Sequence, residues 1–234
     1  MNILAIGAHP DDLEISCGGT LIRYVNEGHS VSMCVVSGGD MGHAIIKPDE
    51  LVETRRKESK DAAKVIGADF YGLDASDGHI ESGDKELRSR LIEIMRRVKP
   101  DVIISHNPDD YMRDHIQAGL IAYDASFVST FPHFLTQTGH TSVLPPVFFM
   151  DTLAGIGFIP TEYVDISDVM EQKLKALACH KSQIKWMRDH DGIDFLDFVE
   201  TCNKYRGLQA NVKFAEGFRQ YAGWLRFTTS RLLP

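Results

Sequence analysis

The sequence lacks any apolar run of the ~18 residues that a membrane-spanning helix needs, so no membrane span is expected. It also lacks a basic stretch followed by an apolar segment at its start, and Asp11 and Asp12 come too early for a secretory signal peptide. Cysteine is scarce and widely spaced, with no CxxC pair, at positions 17, 34, 179 and 202. Such thiols are typical of a reduced cytoplasmic protein, so we expect a cytoplasmic location.

Positive charge is also in short supply. The chain has 25 Lys and Arg residues against 33 Asp and Glu, which gives a net charge of -8. Such a protein repels the phosphates of nucleic acids and anionic membrane surfaces, so neither is an expected partner. Two basic clusters, at 55–57 and 96–99, fall on amphipathic patterns, and we expect them to be solvated faces of helices.

The chain contains no linker-like stretch, internal repeat or low-complexity run that would divide it. Its 234 residues are 43% hydrophobic, which is enough to bury one large core, so we expect a single domain over residues 1–234. No GxGxxG follows the first apolar segment, and a dinucleotide cofactor therefore has little support.

Apolar runs of strand length alternate with segments of helical periodicity along most of the chain. Strands are predicted at 2–7, 31–36, 69–73 and 101–105, with weaker ones at 147–150 and 163–166. Helices are predicted at 17–27, 48–66, 85–98, 114–126, 168–179 and 194–205, and the last twenty residues have no assignment. This order predicts an α/β fold with a Rossmann-like parallel sheet flanked by helices on both faces.

Two of the predicted strands end in clusters of histidine and aspartate. Ala8-His9-Pro10-Asp11-Asp12 follows the first strand, and a second cluster runs from 106 to 115. Because the carboxyl ends of neighbouring parallel strands open into one crevice, both clusters can meet there. His9, Asp12 and His115 could then hold one divalent ion and leave a fourth position for water, as in catalytic zinc sites.

Simpler explanations exist for each of these residues. The segment 8–12 could be an ordinary turn, since Pro and Asp are common turn residues. His115 could be an ordinary residue of the first helical turn, and His106 a loop histidine whose hydrogen bonds are satisfied.

The motifs together resemble the LmbE-like, or PIG-L, family of zinc-dependent N-acetylglucosamine deacetylases. The strand followed by AHPDD matches the first family motif, and Asp114-His115 matches the second. Three shorter matches lie in the expected order: Arg55 with Glu58, Asp77-Gly78, and His180 to Gln183. The resemblance spans residues 2–183.

The resemblance implies a role for each matched position. It makes His9, Asp12 and His115 the ligands of one zinc ion per chain, and Asp11 the general base. Independently of the resemblance, the position of Asp114 beside His115 indicates that it could support that ligand without binding the ion itself. The implied reaction removes an acyl group, in the family an acetyl group, from an N-acylated amino sugar or its glycoconjugate. Alternatives are an amidase acting on a thiol conjugate or an antibiotic glycoside, and a non-catalytic sugar-binding protein that kept the metal loop.

One position departs from the family pattern. Many members carry a histidine where this chain has Met112, which cannot donate a proton. Tyr111, Arg113, His106 and His190 are candidates to replace it.

Other residues are candidates for substrate contact. Asp40, Arg55, Tyr111 and Arg113 could meet the small-molecule substrate, although Asp40 could belong to a plain glycine-rich turn and Arg55 could pair with Glu58. Assembly into a homo-oligomer is left open.

Overall fold

Strand β1 (Asn2–Gly7) lies near the centre of a seven-stranded sheet, where Ile3 to Gly7 are all buried. The computed structural model describes residues 1–234. The other strands are β2 (Ser30–Ser37), β3 (Asp69–Ala75), β4 (Val102–Ser105), β5 (Val147–Met150), β6 (Glu162–Asp165) and β7 (Ala215–Gln220). Their order is β3-β2-β1-β4-β5-β7-β6, so β1 and β4 are neighbours, as the crevice requires.

Eight helices pack on the sheet: α1 (Asp12–Ser16), α2 (Gly18–Asn26), α3 (Pro48–Ile66), α4 (Lys85–Val98), α5 (Arg113–Val128), α6 (Met170–Leu177), α7 (Lys181–Trp186) and α8 (Phe195–Ala210). Alternation along β1 sends Ile3 and Ala5 into one hydrophobic core, shared with α2 and α6. Leu4 and Ile6 point the other way, into a core shared with α4 and α5. The predicted α/β fold with helices on both faces is confirmed. No helix is both long enough and apolar enough to cross a membrane.

The far edge of the sheet differs from the predicted all-parallel arrangement. Strands β1 to β5 are parallel, whereas β7 runs antiparallel to both β5 and β6. The sequence of β7, AEGFRQ, has little apolar alternation, so its pattern did not indicate a strand. The predicted helix at 17–27 is also preceded by the separate short helix α1, and α7 follows α6 after a break.

Strand β7 is held in place by a buried ion pair. Glu216 and Lys173 are fully buried, and Lys173 Nζ donates to Glu216 Oε1 at 2.6 Å and to the carbonyl of Ile15 at 2.7 Å. The carboxylate also accepts the backbone N–H groups of Gly19 and Thr20 at 2.8 and 2.7 Å, and the Thr20 hydroxyl at 2.6 Å. Glu216 therefore caps the start of α2, where a helix favours negative charge.

Glu216→Gln should lower the free energy of unfolding by about 3–5 kcal/mol, because it leaves the Lys173 ammonium buried without a countercharge. Urea denaturation measures this change. Glu171→Gln is the matched control, since Glu171 makes an exposed ion pair with Lys175 at 2.7 Å on the same helix as Lys173. The control should keep the wild-type midpoint, and equal midpoints for the two variants would contradict the assignment.

The basic clusters differ from the solvated helix faces that were expected. Arg55 is 4% exposed and Arg96 is 2% exposed, so the expectation is wrong for both. Burial of the Arg96 charge is tolerated because its guanidinium donates to four carbonyls and one hydroxyl of the segment after α5, from Ser129, Phe131, Phe134, Thr136 and Thr138.

Candidate active site

The turn between β1 and α1 separates two adjacent carboxylates. Asp11 has φ 99° and ψ -24°, a left-handed conformation that costs a residue other than glycine on the order of 1–3 kcal/mol. The Asp12 side chain turns back, and its Oδ2 accepts the backbone N–H of His9 at 2.6 Å. Asp11 Oδ2 is buried and has no hydrogen-bond partner. The two carboxylates are therefore available for different tasks.

The three predicted metal ligands lie together at the ends of β1 and β4. One ligand atom from each of His9, Asp12 and His115 lies within 4.8 Å of the others. His9 Nδ1 is 3.4 Å from Asp12 Oδ2, and His115 Nε2 is 3.4 Å from Asp12 Oδ1. Helix α5, which carries His115, approaches so closely that a Cβ on Gly119 would lie 2.5 Å from the His106 carbonyl oxygen.

Each histidine of the site is held by a carboxylate on its other ring nitrogen. His9 Nε2 donates to Asp114 Oδ2 at 3.1 Å, and Asp114 in turn accepts the N–H of Gly78 at 2.6 Å. His115 Nδ1 donates to Asp110 Oδ2 at 3.1 Å. These bonds leave His9 Nδ1 and His115 Nε2 as the free ligand atoms, the arrangement that orients histidine ligands around metals.

The charges of the site suit a divalent cation. Burial lowers the pKa of His9, but the hydrogen bond to Asp114 and the charge of Asp12 outweigh it and raise that pKa to about 11. Burial also lowers the pKa of His115, but the charge of Asp12 and the hydrogen bond to Asp110 outweigh it and raise that pKa to about 9. Both imidazoles thus lie in a strongly negative environment. Since His115 Nε2 is buried without a hydrogen-bond partner, the residues fit a zinc ion.

Asp110 was not recognised from the sequence as a supporting residue, although a carboxylate behind a histidine ligand is a general feature of metal sites. We expect Asp110→Asn to weaken metal affinity by about 10- to 100-fold, because the amide holds the His115 ring less firmly. Competition with a chromogenic chelator measures this. Asp109→Asn is the control, since Asp109 is the neighbouring residue but its side chain is 82% exposed. Equal affinities in the two variants would contradict the role of Asp110.

His106 lies next to two of the predicted metal ligands, Asp12 and His115. Its ring stacks on that of His115 with centroids 3.9 Å apart, and its Nε2 accepts the N–H of Ala8 at 3.0 Å. Burial, with help from the charge of His115, lowers the pKa of His106 to about 4, so the ring is neutral. His106, Asp110 and His115 also lie within 4.8 Å of one another. The Nε2 of His106 is taken up by the Ala8 N–H and lies 3.1 Å from Asp12 Oδ2, whereas its buried Nδ1 has no hydrogen-bond partner, so the ring is not the fully satisfied loop histidine considered from the sequence.

The environment of Asp11 suits a proton acceptor. Burial and then the charge of Asp12 raise the pKa of Asp11 to about 7, while His180 and Arg55 oppose the rise. A group with a pKa near the working pH is an efficient general base.

Two of the shorter motifs, one on α3 and one on α7, contact each other through hydrogen bonds. Arg55 on α3 donates to the Gly42 carbonyl at 2.9 Å and to Gln183 Oε1. Glu58, one turn later, accepts the backbone N–H and the hydroxyl of Ser182 at 2.9 and 2.6 Å. The Arg55–Glu58 pair considered from the sequence is therefore not present, because each residue binds α7 instead.

Comparison with known proteins shows the family of this chain. The sequence profile of the PIG-L family, described as GlcNAc-PI de-N-acetylase, matches residues 4–126, more than half of the chain. The chain belongs to this family. The family predicted from the motifs is thus confirmed, and the matched range contains all the residues of the proposed metal site.

Individual relatives of this PIG-L protein extend over most of its length. The diacetylchitobiose deacetylase of Thermococcus kodakarensis is 28% identical and covers 94% of this chain and 83% of its own. The 4-oxalmesaconate hydratase of Pseudomonas putida is 27% identical over 92% of this chain and 87% of its own. The solved structure of N,N'-diacetylchitobiose deacetylase from Pyrococcus horikoshii superposes with a TM-score of 0.81 at 28% identity, covering 94% of this chain and 83% of that one.

The candidate substrate contacts of this PIG-L protein differ in accessibility. Tyr111 is 54% exposed, and Arg113 forms an exposed ion pair with Glu81. Asp40 uses both oxygens within the protein, accepting the Ser76 hydroxyl at 2.6 Å and the Asp77 N–H at 2.8 Å. Their contact with substrate stays a prediction.

Met112, at the position where many PIG-L proteins carry a histidine, is half-buried at the start of α5. Among its candidate substitutes, His106 is committed to Ala8, and His190 stacks on Trp186 with centroids 4.2 Å apart. Tyr111 and Arg113 have exposed side chains and precede His115, a predicted ligand, closely in sequence.

Proposed function

We propose that this PIG-L protein is a zinc-dependent hydrolase that removes the acetyl group from an N-acetylated amino sugar or its glycoconjugate, with one zinc ion per chain. The observation that carries the proposal is the buried carboxylate of Asp11, which has an oxygen without a hydrogen-bond partner. A protein that only bound metal and sugar would need His9, Asp12 and His115, but no second buried carboxylate on a strained backbone beside them.

The residues divide the work in a simple way. His9, Asp12 and His115 would hold the zinc ion, which when bound polarises the amide carbonyl and makes water easier to ionise. Asp11 accepts the proton of the attacking water and returns it to the nitrogen of the leaving amine. The water oxygen joins the acetyl carbon as the C–N bond breaks, so acetate and a free amino sugar are the products.

The names of the relatives support this substrate class. They include deacetylases of diacetylchitobiose and of a 2-acetamido-2-deoxyglucopyranoside of inositol, both N-acetylated amino sugars. Asp40, Arg55, Tyr111 and Arg113 are proposed to contact the sugar. A cytoplasmic location fits the four free cysteines and stays a prediction, as does any assembly of several copies.

The test is to identify the product. Purified zinc-loaded protein is incubated with N-acetylglucosamine or N,N'-diacetylchitobiose, and proton NMR follows the signal of free acetate together with the shifted signals of the free amine. We expect acetate and amine in equal amounts. A parallel sample receives the hydratase relative's substrate, 4-oxalmesaconate. Hydration of that acid without acetate release from any acetylated sugar would overturn the proposal.

A further inference from the structure

A cavity opens between the loop that follows β2 and the end of α7. Its volume is about 150 Å³, and its walls include His43, Ile45, Lys185, Trp186 and His190. No step of the proposed reaction uses these residues.

An aromatic stack forms one wall of this cavity. The indole of Trp186 stacks on the His190 ring with centroids 4.2 Å apart and an interplanar angle of 14°. The centroid of the Trp186 ring lies 6.3 Å from the centroid of the His43 ring. His43 Nδ1 accepts the N–H groups of Ile45 and Ile46 at 3.1 and 3.0 Å, so the proton of the neutral ring is on Nε2. The cavity thus combines an aromatic surface with polar groups at its edge.

Arg55 connects this cavity to the metal loop. A Cβ on Gly39 would lie 3.0 Å from Pro10 Cγ and 2.5 Å from Arg55 Cδ, so Pro10 and Arg55 pack on the same glycine. At its other end, Arg55 donates to the Gly42 carbonyl and to Gln183. Gly42 directly precedes His43, and Gln183 is three residues before Trp186. One arginine side chain therefore spans from the AHPDD loop to the cavity wall.

We propose that this cavity binds the second sugar ring of the substrate, stacked on Trp186, so that the protein selects an acetylated amino sugar linked to a further pyranose. The inference rests on the proposed function. The face of a pyranose presents C–H groups that match the negative face of an aromatic ring, and its hydroxyls can bond the donors and acceptors at the cavity edge. Arg55, which packs with Pro10 of the AHPDD loop on Gly39 and bonds Gly42 and Gln183 near the cavity wall, links the two regions.

The kinetic test compares kcat/KM for N,N'-diacetylchitobiose with kcat/KM for N-acetylglucosamine. Trp186→Ala should lower this ratio about tenfold, mainly through KM for the disaccharide, because loss of a contact made equally in ground and transition states raises KM. Trp186→Phe should retain most of the ratio. Trp224→Ala is the matched control, since this second tryptophan is 86% exposed and lies outside the cavity. A wild-type ratio in Trp186→Ala would overturn the proposal.

A binding test separates this inference from the proposed function. In Asp11→Asn with Trp224→Phe, Trp186 is the single tryptophan, and its fluorescence is followed as N,N'-diacetylchitobiose is added. A saturable change with the disaccharide supports the cavity assignment even if the wild-type protein releases no acetate. Normal acetate release with no fluorescence change refutes the cavity assignment alone. A response to octyl glucoside but not to the disaccharide would also refute it and indicate an alkyl-chain site.

Discussion

Asp11→Asn should lower kcat by about 10³-fold, because an amide cannot accept the proton of the attacking water. The variant should keep one zinc ion per chain, since Asn is close in size to Asp and Asp11 is not among the three ligands. Acetate release measures the rate, and elemental analysis measures the metal.

Asp109→Asn is the control for this experiment. Asp109 is also a carboxylate at the end of a central strand, but its side chain is 82% exposed and contacts Arg219 at 3.3 Å. It should turn over at close to the wild-type rate. If Asp11→Asn kept a rate within a few-fold of wild type, the general-base role would be wrong. If it lost its zinc, the division between Asp11 and the ligands would be wrong.

His115→Ala should weaken zinc affinity by more than about 100-fold, a larger loss than removal of a supporting residue causes, and should abolish activity with it. The substitution removes one of three ligands and also leaves the Asp110 carboxylate without its partner. Zinc content after dialysis against a weak chelator provides the measurement. His9→Ala and Asp12→Ala should behave in the same way.

His133→Ala serves as the control for metal binding, because His133 is exposed and lies in none of the clusters that could hold an ion. It should retain all of its zinc. Full zinc content in both His9→Ala and His115→Ala would mean that the ion is bound elsewhere.

The convergence of the two polar clusters could be predicted from the sequence. Both follow buried strands, and the carboxyl ends of parallel strands share one side of the sheet. The pairing of β1 with β4 brings His9 and Asp12 to His115 over more than a hundred residues of chain.

The supporting carboxylates could not be assigned in the same way. Asp114 was expected to support a ligand, and it was placed beside His115 because it precedes that residue. Adjacent residues of a helix point about 100° apart, so Asp114 instead meets His9, and Asp110, five residues before His115, meets the His115 ring.

The remaining differences have one physical cause. Strand β7 and helix α7 are weak by local pattern, and contacts between distant parts of the chain stabilise them. Glu216 accepts hydrogen bonds from two backbone N–H groups that are 196 and 197 positions away in the sequence. Gln183 accepts one from Arg55, 128 positions away. Local propensity and periodicity do not contain such information, and tertiary contacts override them.

The most direct measurement is the rate of acetate release from N,N'-diacetylchitobiose while zinc is titrated into chelator-treated protein. The rate should be near zero at first, rise in proportion to added zinc, and level off at one zinc ion per chain. Chelator-treated, metal-free protein that releases acetate at the full rate would contradict metal-dependent deacetylation at His9, Asp12 and His115.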